Sequence, residues 1–189
     1  NILELLYVKY QCNKFNLLNQ YYNNKYLTNL NKNPKSVRLI TYNVHEWKDS
    51  FKKNNIKNIV NNILETNGDI VCLQESPMNN KILEYFNTQY PYSYYSNYLL
   101  ILSKYKILKQ EKITLGRDPK YFVNRYCLYV KLIKNNRIMH IFNTHLDVYD
   151  NTEKTRHKQI KKVLSKIDEI KISHPEDLII LCGDLNSLN

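Results

Sequence analysis

The apolar and polar positions of residues 37–75 predict a strand, a helix and a second strand. Residues 37–43 alternate in part and include β-branched side chains, which is typical of a strand. Apolar residues in 56–64 recur at helical spacing, and Gly68 follows where the helix is expected to stop. The apolar run inside 69–75 predicts a buried strand. Together the three elements have the lengths of a crossover unit, which joins two parallel strands.

Four consecutive strands are predicted in the middle of the chain, after a short helix at 79–87. The polar segment Lys134-Asn-Asn136 has the composition of a hairpin turn between the last two of them. Alternating or continuous apolar runs place these strands at 98–103, 107–115, 122–133 and 137–144.

A long helix and a short apolar strand are predicted near the end of the chain. The strand, at 178–181, is a continuous apolar run, as expected of a strand buried on both faces. The helix spans 153–172, and its apolar stripe contains Ile160, Val163, Leu164, Ile167 and Ile170. Its opposite face is expected to be solvated and carries Lys154, Arg156, Lys158, Lys161, Lys162 and Lys166.

The first 35 residues differ from the rest and are interpreted as an N-terminal extension. Apolar residues in 2–6 suggest a short helix, and clusters of Asn and Tyr follow before Pro34 closes the segment. We therefore divide the chain into a partly helical extension, 1–35, which packs on the domain or binds a partner, and a single domain, 36–189.

Composition restricts the class of protein and its partners. Hydrophobic residues make up 43% of 189 positions, which indicates one globular domain, and no apolar run reaches the ~20 residues that span a bilayer. The formal net charge of +11 favours nucleic acid, anionic lipid headgroups or phosphorylated small molecules as partners. Codon bias in an AT-rich genome is an alternative source of the lysines. The four cysteines are far apart, so a zinc site is disfavoured and a reducing compartment is the simpler expectation.

Four of the predicted strands end in polar side chains that can carry out chemistry. These ends are Asn43 with His45, then Glu75, then His145, and finally Asp184 with Asn186. Asn and Asp are also ordinary turn formers, so one such ending is uninformative. Because sites in layered folds form where strand ends converge, four such endings predict a common site.

These strand ends carry motifs that resemble those of the endonuclease/exonuclease/phosphatase superfamily, which has the deoxyribonuclease I-like fold. The order and approximate spacings of the motifs also agree over 37–187. The matching segments are Thr41-Tyr-Asn-Val-His45, Leu73-Gln-Glu75, Asn143-Thr-His-Leu-Asp147 with Arg156 and Gln159, and Gly183-Asp-Leu-Asn186.

The resemblance implies an α+β fold, a two-sheet β-sandwich flanked by helices. It also implies a Mg²⁺ site, in which Mn²⁺ can replace Mg²⁺. Glu75 would be the main metal ligand, with Asn43 beside it. Asp184 would orient or deprotonate the attacking water, and Asn186 would position the nucleophile or the phosphate. His145 would donate hydrogen bonds to the phosphoryl oxygens during in-line attack.

His45 and Arg125 are two further candidates, for contacts to phosphate. These two residues, and also Glu75 and His145, each have an alternative structural interpretation. His45 could instead cap the loop that follows it, and Arg125 could form a salt bridge on the sheet. Glu75 could be a strand-end carboxylate paired with a lysine, and His145 could be a structural histidine.

The chain departs from the family pattern in one respect that affects activity. The family ends in a Ser-Asp-His motif on a later strand, and no Ser-Asp-His occurs in this sequence. We therefore expect the last strands of the second sheet to be missing, so that the chain is a fragment or is completed by another chain. Weak activity or none is expected from the 189 residues alone.

The predicted function is a Mg²⁺-dependent phosphoesterase, most simply a nuclease that hydrolyses phosphodiester bonds of DNA or RNA. The net charge favours nucleic acid, because a chain of phosphates rewards distributed lysine and arginine. The first alternative is a phosphatase or phosphodiesterase of inositol phosphates or phospholipids. The second is a catalytically incomplete module that keeps the fold and binds polyanions or a protein partner.

Overall fold

The computed structural model describes residues 3–7, 36–78 and 80–187. Within these residues the strands are β1 (Leu3–Tyr7), β2 (Val37–Asn43), β3 (Ile70–Gln74), β4 (Tyr92–Ser96), β5 (Leu99–Ser103), β6 (Lys106–Arg117), β7 (Asn124–Lys134), β8 (Arg137–His145) and β9 (Leu178–Asp184). The helices are α1 (Ile56–Glu65), α2 (Asn80–Glu84) and α3 (Lys154–Ser173), with a 3₁₀ turn at His45–Trp47. No helix in the described part of the chain is both long and apolar enough to cross a bilayer.

The strands form two mixed sheets. The first has the order β1-β2-β3-β5-β4, in which β1, β2 and β3 are parallel and β5 is antiparallel to both of its neighbours. The second has the order β6-β7-β8-β9, antiparallel except for the parallel pair β8–β9. The pairs β2–β3 and β8–β9 are both parallel, so each brings two carboxyl ends to the same edge of its sheet.

The two sheets pack face to face and are covered by helices on both outer faces. Side chains such as Ile70, Ile101, Val130 and Ile141 fill the space between the sheets. Helices α1 and α2 cover the outer face of the first sheet, and α3 covers the outer face of the second. This architecture confirms the predicted two-sheet sandwich flanked by helices.

Periodicity predicts the amphipathic elements well. The strand predicted at 37–43 coincides with β2, and α1 buries Ile59, Val60 and Ile63 at the predicted spacing. The turn at 135–136 joins β7 to β8, and both asparagines have positive φ (47° and 61°), as a two-residue hairpin turn requires.

Three elements differ from the prediction. The short helix expected near the N-terminus is the strand β1, which pairs in parallel with β2; a short apolar run does not distinguish helix from strand. The rest of the predicted extension, 8–35, lies outside the described residues. Strand β4 was not predicted, because Tyr-Ser-Tyr-Tyr-Ser has no clear alternation of apolar and polar residues. Strand β9 lies at the edge of its sheet and is half-exposed along most of its length, not buried on both faces.

The two long helices also differ in detail from their predicted patterns. Helix α1 ends at Glu65, before the predicted stop at Gly68, and Asn67 takes the left-handed conformation (φ 49°) common after a helix. On α3, Leu164 is exposed, whereas Arg156 is buried although it was placed on the solvated face. The arginine is buried because its donors find carbonyl and carboxylate partners, which periodicity alone does not reveal.

Candidate active site

The carboxyl ends of β2, β3, β8 and β9 bring four polar side chains together. The Asn43 amide nitrogen, Nδ2, donates to Glu75 Oε1 at 2.8 Å and to Asp184 Oδ2 at 3.0 Å. The His145 Nε2 atom lies 3.9 Å from the same Glu75 oxygen. One amide therefore joins carboxylates from the two sheets, with an imidazole beside them, and the predicted convergence of strand ends is observed.

Backbone geometry fixes the half of the site that belongs to the first sheet. Val44 N donates to Gln74 O at 2.9 Å, and Glu46 N donates to Glu75 O at 2.9 Å, so the parallel pairing continues past the strand ends. Glu75 adopts a positive φ of 50°, which is uncommon for a residue with a side chain. Its carboxylate is thereby turned toward Asn43 at the sheet edge.

A close approach between β8 and β9 fixes the half of the site that belongs to the second sheet. A Cβ atom at position 183 would lie 2.0 Å from the Thr144 carbonyl oxygen, and Gly183 has a φ of 131°. Only glycine fits both the space and the backbone conformation. Leu146 N then donates to Asp184 O at 2.9 Å, which continues the pairing beyond the strand. The Gly-Asp sequence is therefore required for the position of the Asp184 carboxylate.

Asn186 lies in the turn after Asp184 and anchors it. Its backbone N–H donates to Asp184 Oδ1 at 3.1 Å, and its side-chain Nδ2 donates to Leu146 O at 3.0 Å. The side chain thus connects the end of β9 to the residue after His145. The predicted placement of Asp184 and Asn186 at one end of the sheet is observed, and Asn186 contacts backbone there.

The His145 side chain is 13% exposed and lies among charged groups of both signs. Burial lowers the pKa of its imidazole below the ordinary value, and the Arg125 guanidinium also lowers this pKa. The carboxylates of Asp184, Glu75 and Asp147 oppose this by favouring the charged form. The net effect favours a neutral imidazole, which can donate one hydrogen bond from one ring nitrogen.

A buried amide pair connects the two sheets directly beneath the site. Gln74 Nε2 donates to Asn143 Oδ1 at 2.7 Å, and Asn143 Nδ2 donates to the carbonyl oxygens of Leu73 and Leu100 at 3.0 and 3.2 Å. Both side chains are fully buried, at 1% and 0% exposure. Both residues belong to the sequence motifs, but the sequence analysis assigns neither of them a role. The sequence feature that could have indicated a buried hydrogen bond is a polar residue within a buried strand.

The N-terminal turns of α3 anchor the chain that follows His145. Arg156 Nη1 donates to Asp147 O at 2.9 Å, and Gln159 Oε1 accepts from Asp147 N at 2.9 Å. All three residues are buried. The sequence motif contains this Arg-x-x-Gln spacing but does not predict a role for it. In the structure, the two side chains hold the loop that follows His145.

The two weaker candidates differ in exposure and in contacts. His45 is exposed, and its backbone N–H donates to Asn43 Oδ1 at 3.0 Å. Arg125 is half-buried, and its Nε has no hydrogen-bond partner among the residues that the structure describes. The guanidinium acts on the pKa of His145, so it lies at the same end of the sheet.

The donor set fits a hard divalent cation that keeps most of its waters. In the described part of the chain, no three His, Cys, Asp or Glu side chains form a closed metal cage. Mg²⁺ needs only one or two carboxylates in addition to water, and Glu75 and Asp184 supply two within reach of one amide. Asn43, which was expected beside the metal, has its oxygen engaged by the His45 N–H and its nitrogen directed to the carboxylates. In this arrangement Asn43 holds the carboxylates together.

Comparison with protein families agrees with this geometry. Residues 40–188 match the model of the Endonuclease/Exonuclease/phosphatase family. The chain belongs to this family. Its members hydrolyse phosphoesters, and the resemblance of the sequence motifs is thereby confirmed. No curated protein sequence matches the chain.

Solved structures share the fold at low sequence identity. Truncated TDP2 from Caenorhabditis elegans is similar with a TM-score of 0.71 and 24% identity over 81% of this chain and 63% of that one. Sphingomyelinase C from Streptomyces griseocarneus gives a TM-score of 0.64 and 21% identity over 80% and 64%. ANGEL2, a 2′,3′-cyclic phosphatase, gives 0.60 and 16% over 80% and 54%. This chain therefore spans less than two thirds of the length of these structures.

Proposed function

We propose that the protein is a divalent-metal-dependent phosphodiesterase that hydrolyses nucleic acid. The observation that carries the proposal is the shared hydrogen bonding of Asn43 Nδ2 to Glu75 and Asp184, with His145 adjacent. Two carboxylates held together across two sheets would repel each other, so a donor or cation between them is needed. Phosphoester hydrolysis uses such a set to bind a cation, prepare a water and receive a phosphate.

Each side chain of the cluster has a separate proposed role in the reaction. Glu75 would hold the metal, and Asn43 would orient Glu75 and Asp184. Asp184 would align the attacking water and accept its proton, because its Oδ1 is fixed by the Asn186 N–H. His145 would donate a hydrogen bond to a phosphoryl oxygen as negative charge moves onto the phosphate.

The metal and the flanking cations would complete the site. A bound Mg²⁺, or Mn²⁺ in its place, supplies positive charge to the developing negative charge on the phosphate. Arg125 has a buried Nε without a partner within the described residues, which suits a contact to a phosphate oxygen. His45 is exposed and would contact a phosphate of the substrate. Asn186 would position the phosphate or the water through the atoms that its hydrogen bonds to Asp184 Oδ1 and Leu146 O leave free.

The choice of nucleic acid rests on charge and on one relative. The net charge of +11 favours a partner with many phosphates over a single phosphate group. A similar solved structure is Danio rerio TDP2 in complex with a single-stranded DNA product, at 22% identity. The rival substrates, inositol phosphates and phospholipids, share the phosphoester but present fewer negative charges per molecule.

A panel of three substrates tests the proposal under single-turnover conditions. The substrates are a labelled single-stranded oligonucleotide, an inositol phosphate and sphingomyelin vesicles, each with Mg²⁺. The proposal predicts cleavage of the oligonucleotide alone and binding that weakens steeply with added salt. Preference for the inositol phosphate or the vesicles, or binding that does not change with salt, would overturn the choice of nucleic acid.

A further inference from the structure

A rigid apolar loop lies next to the candidate site and has no role in the chemistry described above. It joins β6 to β7 and carries Tyr121, Phe122 and Val123, which are 56%, 70% and 57% exposed. Three consecutive apolar side chains on a surface loop cost solvation free energy and do not contribute to the core. Such a patch indicates a binding surface.

Hydrogen bonds hold this loop in one conformation. The buried Asp118 carboxylate accepts from the backbone N–H groups of Lys120, Tyr121 and Val123, at 3.1, 2.5 and 3.3 Å. Asp118 N in turn donates to Val123 O at 2.9 Å. The loop is therefore organised before any ligand arrives, which reduces the entropy cost of binding.

The backbone conformation and the exposure of Phe122 are not explained by the stability of the fold. It adopts a φ of 57°, in the left-handed region that bulky side chains rarely occupy. Asn or Gly would satisfy that backbone at lower cost. A strained aromatic residue that is also exposed gains nothing from burial, so its role lies in an interaction outside the described fold.

Ring contacts place the loop close to His145. The rings of Tyr121 and Tyr149 are 4.9 Å apart, centroid to centroid, and Tyr149 N donates to Asp147 Oδ1 at 2.9 Å. Tyr149 is four residues after His145, a distance of at most ~14 Å along an extended chain. Arg125 is the second residue of β7 and follows the loop by one residue, so the apolar surface borders this phosphate-contact candidate.

A lysine lies against the paired rings of Tyr121 and Tyr149. Lys120 Nζ is 4.8 Å from the Tyr149 ring centroid and 5.1 Å from that of Tyr121. A combination of exposed rings and cations suits single-stranded nucleic acid, because bases stack on the rings while phosphates contact the cations.

We propose that Phe122, with the Tyr121–Tyr149 pair, is a stacking platform for an unpaired nucleobase that flanks the scissile phosphate. The inference rests on the proposed function for its location beside the reacting phosphate, and it adds the element that selects base-bearing single strands. A lipid surface would also contact exposed Phe and Val, and the experiment below distinguishes it.

The first measurement is binding of a fluorescent single-stranded oligonucleotide in EDTA, in which cleavage does not occur. Phe122→Asn removes the ring while suiting the left-handed backbone, and we expect roughly tenfold weaker binding. Phe122→Trp keeps a stacking ring and should bind at least as tightly as the wild type. Tyr92→Ala is the matched control, because Tyr92 pairs with Ser103 at the opposite end of the first sheet and is 37% exposed; it should leave binding unchanged.

An abasic oligonucleotide separates this inference from the proposed function. It has the same phosphodiester backbone without bases, so Phe122→Asn should leave its binding and its cleavage unchanged. With the normal strand and Mg²⁺, the variant should raise KM and leave kcat unchanged. If the chain cleaves nothing but Phe122→Asn still weakens binding of the normal strand alone, the platform stands and the proposed function fails.

Three results would overturn the platform. The first is equal weakening of normal and abasic strands, which would mean that no base is stacked. The second is unchanged oligonucleotide binding together with lost binding to phosphatidylcholine–phosphatidylserine vesicles, which would identify a lipid surface. The third is a clear fall in the melting temperature of Phe122→Asn, which would show that Phe122 is packed against the protein; relief of backbone strain predicts an equal or higher melting temperature.

Discussion

The two sheets hold their halves of the candidate site by different means. In the first sheet, Asn43 and Glu75 are placed by local backbone hydrogen bonds and by a positive φ at Glu75. In the second sheet, His145 and Asp184 depend on the contact of Gly183 with Thr144 and on clamping by α3. Backbone hydrogen bonds that continue a parallel strand pair are present in both halves, and the second half depends in addition on the packing of β9 against β8 and on α3.

This difference teaches where mutations should act. Substitutions in the first half should remove chemistry and leave the fold intact, because the strand ends remain paired. Substitutions of the residues that support the second half should lower stability and should also displace the site. The Gln74–Asn143 bridge belongs to both halves, since it joins the sheets beneath the cluster.

The largest expected effect is the loss of the water-aligning carboxylate. Asp184→Asn should reduce the single-turnover rate of oligonucleotide cleavage on the order of 10³-fold, because general-base removal costs about 10²–10⁴. The melting temperature should fall only slightly, because the new amide can still accept from Asn186 N but loses the hydrogen bond from Asn43 Nδ2. Asp168→Asn, on the exposed face of α3, is the control and should keep the wild-type rate.

The close approach of β9 to β8 gives the next largest effect. Gly183→Ala would place its Cβ 2.0 Å from the Thr144 carbonyl oxygen, so urea unfolding should show a loss of about 3 kcal/mol. Gly116→Ala is a matched control, because Gly116 also has a positive φ of 118° but has no atom within 4 Å of the added Cβ. Its expected cost is about 1 kcal/mol. Equal losses in the two variants would contradict a steric role for Gly183.

Loss of the Gln74–Asn143 bridge should lower the free energy of unfolding somewhat less than Gly183→Ala does. Gln74→Leu leaves the buried oxygen of Asn143 without its donor, which should cost about 2 kcal/mol in the free energy of unfolding. In a double-mutant cycle, adding Asn143→Leu should cost less in the Gln74→Leu background than in the wild type. Additive losses would show that the two amides act independently.

The smallest predicted effect concerns the start of α3, which supports the clamp. Asp150 lies before the helix, and its carboxylate accepts from the backbone N–H groups of Thr152, Thr155 and Arg156. Burial alone would raise its pKa, but these bonds and that of the Thr152 hydroxyl hold the pKa of Asp150 well below its usual range. Asp150→Ala should lower stability by about 1 kcal/mol at pH 7.

The sign of the pH dependence follows from that lowered pKa. Because the folded state binds the proton less tightly than the unfolded state, the stabilisation is complete well above pH 4 and decreases as the pH falls below about 4. The gap between wild type and Asp150→Ala in urea unfolding should therefore be larger at pH 7 than at pH 3.

The sequence predicted those parts of the fold that depend on one-sided burial. Helix α1 was placed closely because it has one buried face, and strand β2 because its apolar and β-branched residues are typical of a strand. Strand β1 was predicted as a helix and β4 was missed, because a short apolar run and a Tyr-Ser run carry no decisive period. Burial of Arg156 was not predicted, since residue type suggested solvent and only its partners in the fold reveal otherwise.

The candidate site was predicted through strand ends more completely than its supports were. Asn43, Glu75, His145 and Asp184 converge as expected, because polar residues after apolar strands mark a sheet edge. The partner of Gln74 is 69 residues away on the other sheet, so no local pattern could identify it. The same holds for the contact of Gly183 with Thr144, which needs the pairing of β8 with β9.

The most direct test of the account is the metal dependence of oligonucleotide cleavage in wild type and in Glu75→Gln, measured as single-turnover rates across a Mg²⁺ titration. Glu65→Gln, at the exposed end of α1, serves as the matched control. The account predicts that cleavage needs Mg²⁺, that Glu75→Gln abolishes this response, and that Glu65→Gln keeps it. Cleavage that persists in EDTA, or a Glu75→Gln variant with the wild-type response to Mg²⁺, would contradict the assignment of this cluster as a metal-dependent phosphodiesterase site.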